Sequence, residues 1–249
     1  MALLAEVRGQ LQALNLTHAA QSLSEVIDKS QQEEWSPLAT ISALLGKERD
    51  ERADKARSRR MKEAGFPYVA SIEGFDFGFQ RCVSKKHMLQ LKELSWLESA
   101  FNILFIGPPG VGKSHLSISL GIAAVEAGYK TMFVHAEQLI HLFRTMEISS
   151  KSRSRLKKIT QANLVIIDEI GFQPISRQEA NALFGLVNQL YQQTSVILTS
   201  NKGVAEWGEF MGDPVITAAM LDRLMHKCEV FDMDGESYRI AHRERFLKG

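Results

Sequence analysis

Apolar residues recur at helical spacing through roughly the first quarter of the chain. Leu4, Val7, Leu11, Leu14 and Leu16 make one stripe, Leu23, Val26 and Ile27 a second, and Leu38, Ile41, Leu44 and Leu45 a third. This is the three-to-four-residue period of an amphipathic helix, and it predicts a small bundle of three or four helices over residues 1–67. Gly65-Phe66-Pro67 reads as a helix stop and hinge. From about residue 70 the pattern changes to short apolar runs separated by helical stretches. The runs are Asn102–Ile106 (NILFI), Lys130–His135 (KTMFVH), Leu164–Ile167, Ser195–Thr199 (SVILT) and Cys228–Phe231 (CEVF). Such alternation predicts a parallel sheet of five strands covered by helices on both faces, an α/β domain over residues 68–249.

The turn between the first strand and its helix carries the most specific chemistry. Residues 107–114 read GPPGVGKS, a complete G-x-x-x-x-G-K-[ST] phosphate loop. Glycines let the backbone coil until successive N–H groups point inward at phosphates, and the following helix adds the positive end of its dipole. Gly107, Pro108, Pro109, Gly110, Val111, Gly112, Lys113 and Ser114, with His115 next on the helix, are therefore the candidate nucleotide-binding residues. Lys113 would supply a point charge to the β and γ oxygens of a nucleoside triphosphate, and the Ser114 hydroxyl a ligand to Mg²⁺. The alternative is an ordinary strand-turn-helix corner. Leu164 to Glu169 (LVIIDE) ends a buried strand in two carboxylates, as a Walker B segment does. Alternation along the strand sends Asp168 and Glu169 to opposite faces. Asp168 is expected to hold Mg²⁺ and Glu169 to polarise the attacking water, as opposed to a solvated pair of acids at a strand exit.

Composition bounds the picture. With 249 residues and 45% hydrophobic content, the chain can bury a sizeable core. Two cysteines without zinc spacing, and a charged amphipathic N-terminus with no long apolar run, lead us to expect a cytoplasmic protein with no disulfide and no membrane span. The net charge of +1 hides two basic blocks. Lys55, Arg57, Arg59, Arg60 and Lys62 form one, and Lys151, Arg153, Arg155, Lys157 and Lys158 the other. Each is either a solvated helix face or a duplex DNA contact, and the absence of aromatics points to the phosphate backbone over stacked bases. The second block lies between the second strand's helix and Walker B, where a loop could project toward a central channel or groove if subunits form a ring or helix. Asn201, after the fourth strand in ILTSN, could reach a γ-phosphate or cap a turn. Arg223 and Arg239, each by itself, read as surface arginines.

In order and spacing, GPPGVGKS, LVIIDE, ILTSN, LDRL and SYR resemble the AAA+ ATPases of the DnaC and IstB clade. The resemblance is closer to the IstB family of insertion-sequence transposition helpers. Supporting segments are RRMKEAGFP, the FDF at Phe75 to Phe77, HAEQLIHLF and IDEIGFQPISRQEANALFGLVNQLY. The match spans nearly the whole chain. It implies an AAA+ P-loop NTPase fold, and Mg-dependent, DNA-stimulated ATP hydrolysis by a ring or helical homo-oligomer that grips duplex DNA and assists a cognate transposase. By this resemblance Asn201 is a first sensor, Arg223 an arginine finger acting on a neighbour's nucleotide, and Arg239 a second-sensor arginine. A DnaC-like helicase loader would share the nucleotide motifs, and a small-molecule kinase the phosphate loop. Only about ten residues follow SYR, too few for the helical lid domain usual in AAA+ proteins, so no lid is expected.

Overall fold

Each of the five apolar runs is a strand in the computed structural model, which describes residues 2–243. The strands are β1 (Asn102–Ile106), β2 (Thr131–His135), β3 (Leu164–Ile170), β4 (Ser195–Ser200) and β5 (Cys228–Asp232). They form one sheet in the order β2-β3-β4-β1-β5, and every pairing is parallel. Parallel strands need crossovers, and the crossovers are the helices between the runs. β1 through β4 are buried almost throughout, which is why they read as continuous aliphatic runs instead of alternating ones.

The helices are α1 (Ala2–Ala13), α2 (Thr17–Gln32), α3 (Pro37–Ala64), α4 (Lys85–Lys92), α5 (Ser95–Glu98) and α6 (Lys113–Glu126), then α7 (Ala136–Thr145), α8 (Ser150–Thr160), α9 (Arg177–Leu190), α10 (Trp207–Met211), α11 (Pro214–Met225) and α12 (Tyr238–Ala241). Two cores flank the sheet. One packs Leu104, Val165, Ile167 and Val196 against α7, α9 and α11; the other packs Ile103, Phe105, Ile166 and Ile197 against α6 and the segment around Ile72 and Met88. Alternate residues of each strand thus serve opposite cores. A fully buried Leu or Ile contributes about 1.5–3 kcal/mol, so register is strongly specified.

The chain divides into two compact units between Arg59 and Arg60, within α3, so that Gly65-Phe66-Pro67 belongs to the second. In the first unit α1 and α2 pack together, with Ala19, Ala20, Leu23 and Val26 buried. The third apolar stripe differs from expectation. Leu38, Ile41 and Leu45 of α3 are 80%, 54% and 49% exposed. Within this unit α3 instead meets α2 through polar groups. The Glu48 carboxylate accepts hydrogen bonds from the backbone N–H groups of His18 (2.7 Å) and Ala19 (2.9 Å). Among the described residues, no helix is long and apolar enough to cross a membrane.

Candidate nucleotide-binding site

The phosphate loop begins where β1 ends and leads directly into α6, whose N-cap is Gly112. The Lys113 ammonium donates to the carbonyls of Gly107 (2.7 Å) and Pro108 (2.8 Å) at the base of the loop. Burial pushes its pKa below the usual lysine range and nearby Arg239 adds to this, while Asp168 and Glu169 pull the other way. Residues 109–115 line a cavity of about 670 Å³ with Asp168, Glu169, His135, Asn201, Tyr238 and Arg239, whereas Gly107 and Pro108 do not line it. That volume suits a nucleotide.

Two loop glycines are demanded by what lies on them. Gly110 has φ +89°, and a Cβ there would stand 2.1 Å from Ser237 Oγ. Gly112 has φ +99°, and a Cβ would stand 2.4 Å from the ring of Phe75. The FDF and SYR segments, far apart in sequence, therefore cover the same loop. Gln80 donates to the Val111 carbonyl (3.1 Å), and the Tyr238 N–H donates to the Gly110 carbonyl (3.0 Å). Ser237 caps α12, whose first turn carries Arg239 to the cavity.

The two Walker B acids separate by a mechanism other than strand alternation. Ile167 pairs with Leu198 and Ile170 with Ser200, so Asp168 and Glu169 together face the single residue Thr199. This is a β-bulge. Glu169 takes a left-handed conformation, φ +63°, which turns it outward and leaves Asp168 buried at 2% exposure. Such a conformation costs about 1–3 kcal/mol for a residue with a side chain, and part of that cost is offset locally. The Thr199 hydroxyl accepts from the Glu169 N–H (2.8 Å) and donates to Asp168 Oδ1 (2.6 Å). The Ser114 hydroxyl donates to Asp168 at 2.8 and 3.0 Å, and His135 Nδ1 lies 3.5 Å from Asp168 Oδ2. A hydroxyl and a carboxylate beside the loop form an oxygen donor set that fits Mg²⁺.

Asn201 is exposed just beyond β4 and lines the cavity. Arg223 lies elsewhere, on the last turn of α11. Its guanidinium donates to Asn188 Oδ1 (2.9 Å) and the Ala219 carbonyl (2.7 Å), and it stacks 5.0 Å from the centroid of Phe184. Sequence reasoning missed Thr199, His135, Tyr68 and Gln80. Only Thr199 carried a signal, a hydroxyl closing an aliphatic run. Burial, reinforced by the negative charge of Asp168, raises the Tyr68 phenol above its ordinary range, with Arg239 opposing.

The basic blocks are heterogeneous. The second is no projecting loop but helix α8, because Ser152 and Ile159 supply it with a buried face. On it Arg155 is partly buried and donates to the Glu63 (3.0 Å) and Phe133 (2.9 Å) carbonyls. Arg153 holds the carbonyls of Met146 and Glu147, and Lys158 pairs with Glu63 at 3.3 Å. Lys151 and Lys157 are exposed. In the first block Lys55 contacts His18 (2.8 Å), Arg57 pairs with Asp54 (3.4 Å) and Arg60 reaches the Val125 carbonyl (3.4 Å), whereas Arg59 and Lys62 are exposed.

Comparison with known proteins agrees with this architecture. The chain is 35% identical over 240 residues to a Pseudomonas aeruginosa protein whose name assigns it to insertion sequence IS21 as an ATP-binding protein, covering 96% of this chain and 91% of that one. A Bacillus thuringiensis protein named in the same way for IS232 is 38% identical over 230 residues, with 92% of each covered. Among solved structures, the DnaC helicase loader matches with TM-score 0.53 at 17% identity, over 66% of this chain and 96% of that one. AMPPCP-bound DnaA from Aquifex aeolicus matches with TM-score 0.56 at 18% identity, over 70% and 53%. Both are AAA+ folds. A family profile described as IstB-like ATP binding protein matches residues 9–246, and the chain belongs to that family.

Proposed function

We propose that this chain is a Mg-dependent ATPase that oligomerises on duplex DNA and assists a transposase. The observation that carries the hydrolytic part is the split of adjacent carboxylates at one cavity: Asp168 buried against Ser114, Glu169 turned outward beside the phosphate loop. Ser114 and Asp168 would hold Mg²⁺, which when bound neutralises charge on the phosphate oxygens. Loop N–H groups and Lys113 orient the γ-phosphate, and Arg239 adds a cation from the same chain. The Glu169 carboxylate takes a proton from a water as the water oxygen bonds to the γ-phosphorus. The bond from that phosphorus to the β–γ bridging oxygen breaks, leaving ADP and phosphate. Asn201, which lines the cavity, is assigned a hydrogen bond to the γ-phosphate. Arg223, remote from its own chain's cavity, is the group we assign to a neighbour's nucleotide.

DNA contact is assigned to the exposed cations Lys151, Lys157, Arg59 and Lys62, which among the described residues make none of the side-chain bonds to carbonyls that occupy Arg153 and Arg155. The transposase role rests on the insertion-sequence names of relatives spanning nearly the whole chain. The direct test is binding of random duplex DNA with ATP, with ADP and without nucleotide, followed by transposase capture on the resulting complexes. Binding that requires ATP and weakens steeply with salt is expected. DNA affinity indifferent to nucleotide would sink the reading.

A further inference from the structure

Thr199 is fully buried, and it is the one β4 residue opposite the two-residue bulge of Asp168 and Glu169. Packing does not ask for a hydroxyl there. On β4 it follows the aliphatic Val196, Ile197 and Leu198 and precedes Ser200, whose hydroxyl bonds elsewhere, to the Lys202 backbone, and its β1 partner is Phe105. A valine would fill the same space. What the hydroxyl adds is a pair of bonds, one accepted from the Glu169 N–H (2.8 Å) and one donated to Asp168 Oδ1 (2.6 Å). The first occupies the amide that the bulge removes from the β3–β4 ladder. The second ties that amide to the carboxylate beside Ser114. Asn201, two residues on, makes no hydrogen bond to either acid among the described residues.

We propose that Thr199 is a positioning residue for hydrolysis: its hydroxyl locks the left-handed conformation of Glu169 that turns this carboxylate out of the sheet and into the cavity. Resting on the ATPase reading above, the inference assigns Thr199 an effect on the reacting water through Glu169 only. Asp168 keeps its bonds from Ser114 when the Thr199 hydroxyl is lost, so nucleotide binding survives while water activation suffers. The second bond sets the hydroxyl's direction. With its proton committed to Asp168, the oxygen presents a lone pair to the Glu169 N–H.

The test compares Thr199→Val with Thr199→Ser by three readouts: hydrogen exchange of the Glu169 amide in the nucleotide-free protein, AMPPCP affinity, and the split of ATP turnover into kcat and KM. In Thr199→Val the Glu169 amide should exchange roughly tenfold faster or more, since a buried donor loses its partner. Its kcat should fall by roughly 10- to 100-fold, as for other groups that orient a reacting residue, with KM and AMPPCP affinity within about threefold of the unaltered protein. Thr199→Ser should match the unaltered protein in all three. Added to Glu169→Gln, Thr199→Val should cost little further turnover, because the group it positions is already gone. Should Thr199→Val fail to fold, Thr199→Ala takes its place. Unchanged amide exchange and turnover in the hydroxyl-free variant would overturn the proposal. So would a serine variant as impaired as valine, which would indicate packing, or parallel loss of AMPPCP affinity, which would indicate an effect through Asp168. Absence of ATP turnover in the unaltered protein would overturn the ATPase reading and this role in hydrolysis together, and the amide exchange would then report the anchor alone.

Discussion

Asp168 and Glu169 are covalent neighbours with the same functional group, yet one is 2% exposed and bonded to two hydroxyls while the other faces outward. Their separate duties should show in separate variants. Glu169→Gln keeps the shape of the bulge and the Mg-holding pair, so it should bind ATP normally, lose roughly 10²- to 10⁴-fold in turnover and form longer-lived complexes on DNA. Asp168→Asn removes the buried charge beside Ser114 and should weaken Mg-dependent nucleotide binding itself. Equilibrium nucleotide binding alongside steady-state hydrolysis separates the two, and normal turnover by Glu169→Gln would remove Glu169 from the catalytic role. The identity of both acids was legible in LVIIDE, because a buried aliphatic strand that stops on acids is rare chemistry. Their separation by a bulge was not, since register irregularities depend on the partner strand, and nothing in β3 alone announces that Thr199 will stand opposite both.

At the scale of elements, caps and contacts supplied from far along the chain explain what periodicity could not reveal. The N-terminus of α2 has no side-chain cap from Leu16; Glu48, some thirty residues on, accepts the N–H groups of His18 and Ala19 instead. Burial alone would raise the Glu48 pKa, but those N–H groups and Arg52 outweigh it and hold the carboxyl below its ordinary range. The folded value lies below the unfolded one, so this contribution is present above the ordinary carboxylate range and is lost as pH falls through the folded pKa. Protection of the His18 and Ala19 amides against hydrogen exchange should fall in acid. Glu48→Gln should lower it at neutral pH and flatten the acid dependence. Helix α8 offers a second contrast, between cations that the charge pattern treated alike. Arg155→Ala leaves two carbonyls without their donor and should cost about 1–3 kcal/mol by chemical denaturation. Lys151→Ala and Lys157→Ala should change stability by no more than about 0.5 kcal/mol. If they touch DNA phosphates, each should weaken all duplexes alike and reduce the salt slope by roughly 0.9. Sequence spacing placed these residues in one block, and only the buried face of α8, set by Ser152 and Ile159, decides which of them turn inward.

For the whole molecule, the question is whether one chain holds a complete site. Arg239 reaches its own cavity, but Arg223 is held by Asn188, Ala219 and Phe184 on α9 and α11. An arginine supplied by a neighbour is worth about 10³ to 10⁵ in rate. Arg223→Ala should therefore bind ATP yet hydrolyse it poorly, and Lys113→Ala should hydrolyse little because it fails to hold nucleotide. A mixture should regain activity where an intact loop meets an intact arginine, and no recovery at any ratio despite mixed oligomers would exclude Arg223 from that role. The βα alternation and a parallel sheet of five strands were readable from sequence; the strand order was not, nor was the covering of the loop by Phe75 and Ser237, because both join segments far apart along the chain. That covering also has a timetable. The phosphate loop leaves the ribosome long before Ser237 and Tyr238, a delay on the order of ten seconds at ordinary synthesis rates. For most of it β1 lacks at least one of its sheet neighbours, β4 and β5, and throughout it Gly110 lacks the contact with Ser237. The grip on nucleotide is thus among the last properties a nascent chain acquires, and a product interrupted before residue 237 would carry an intact GPPGVGKS yet stay out of any assembly that ATP must license.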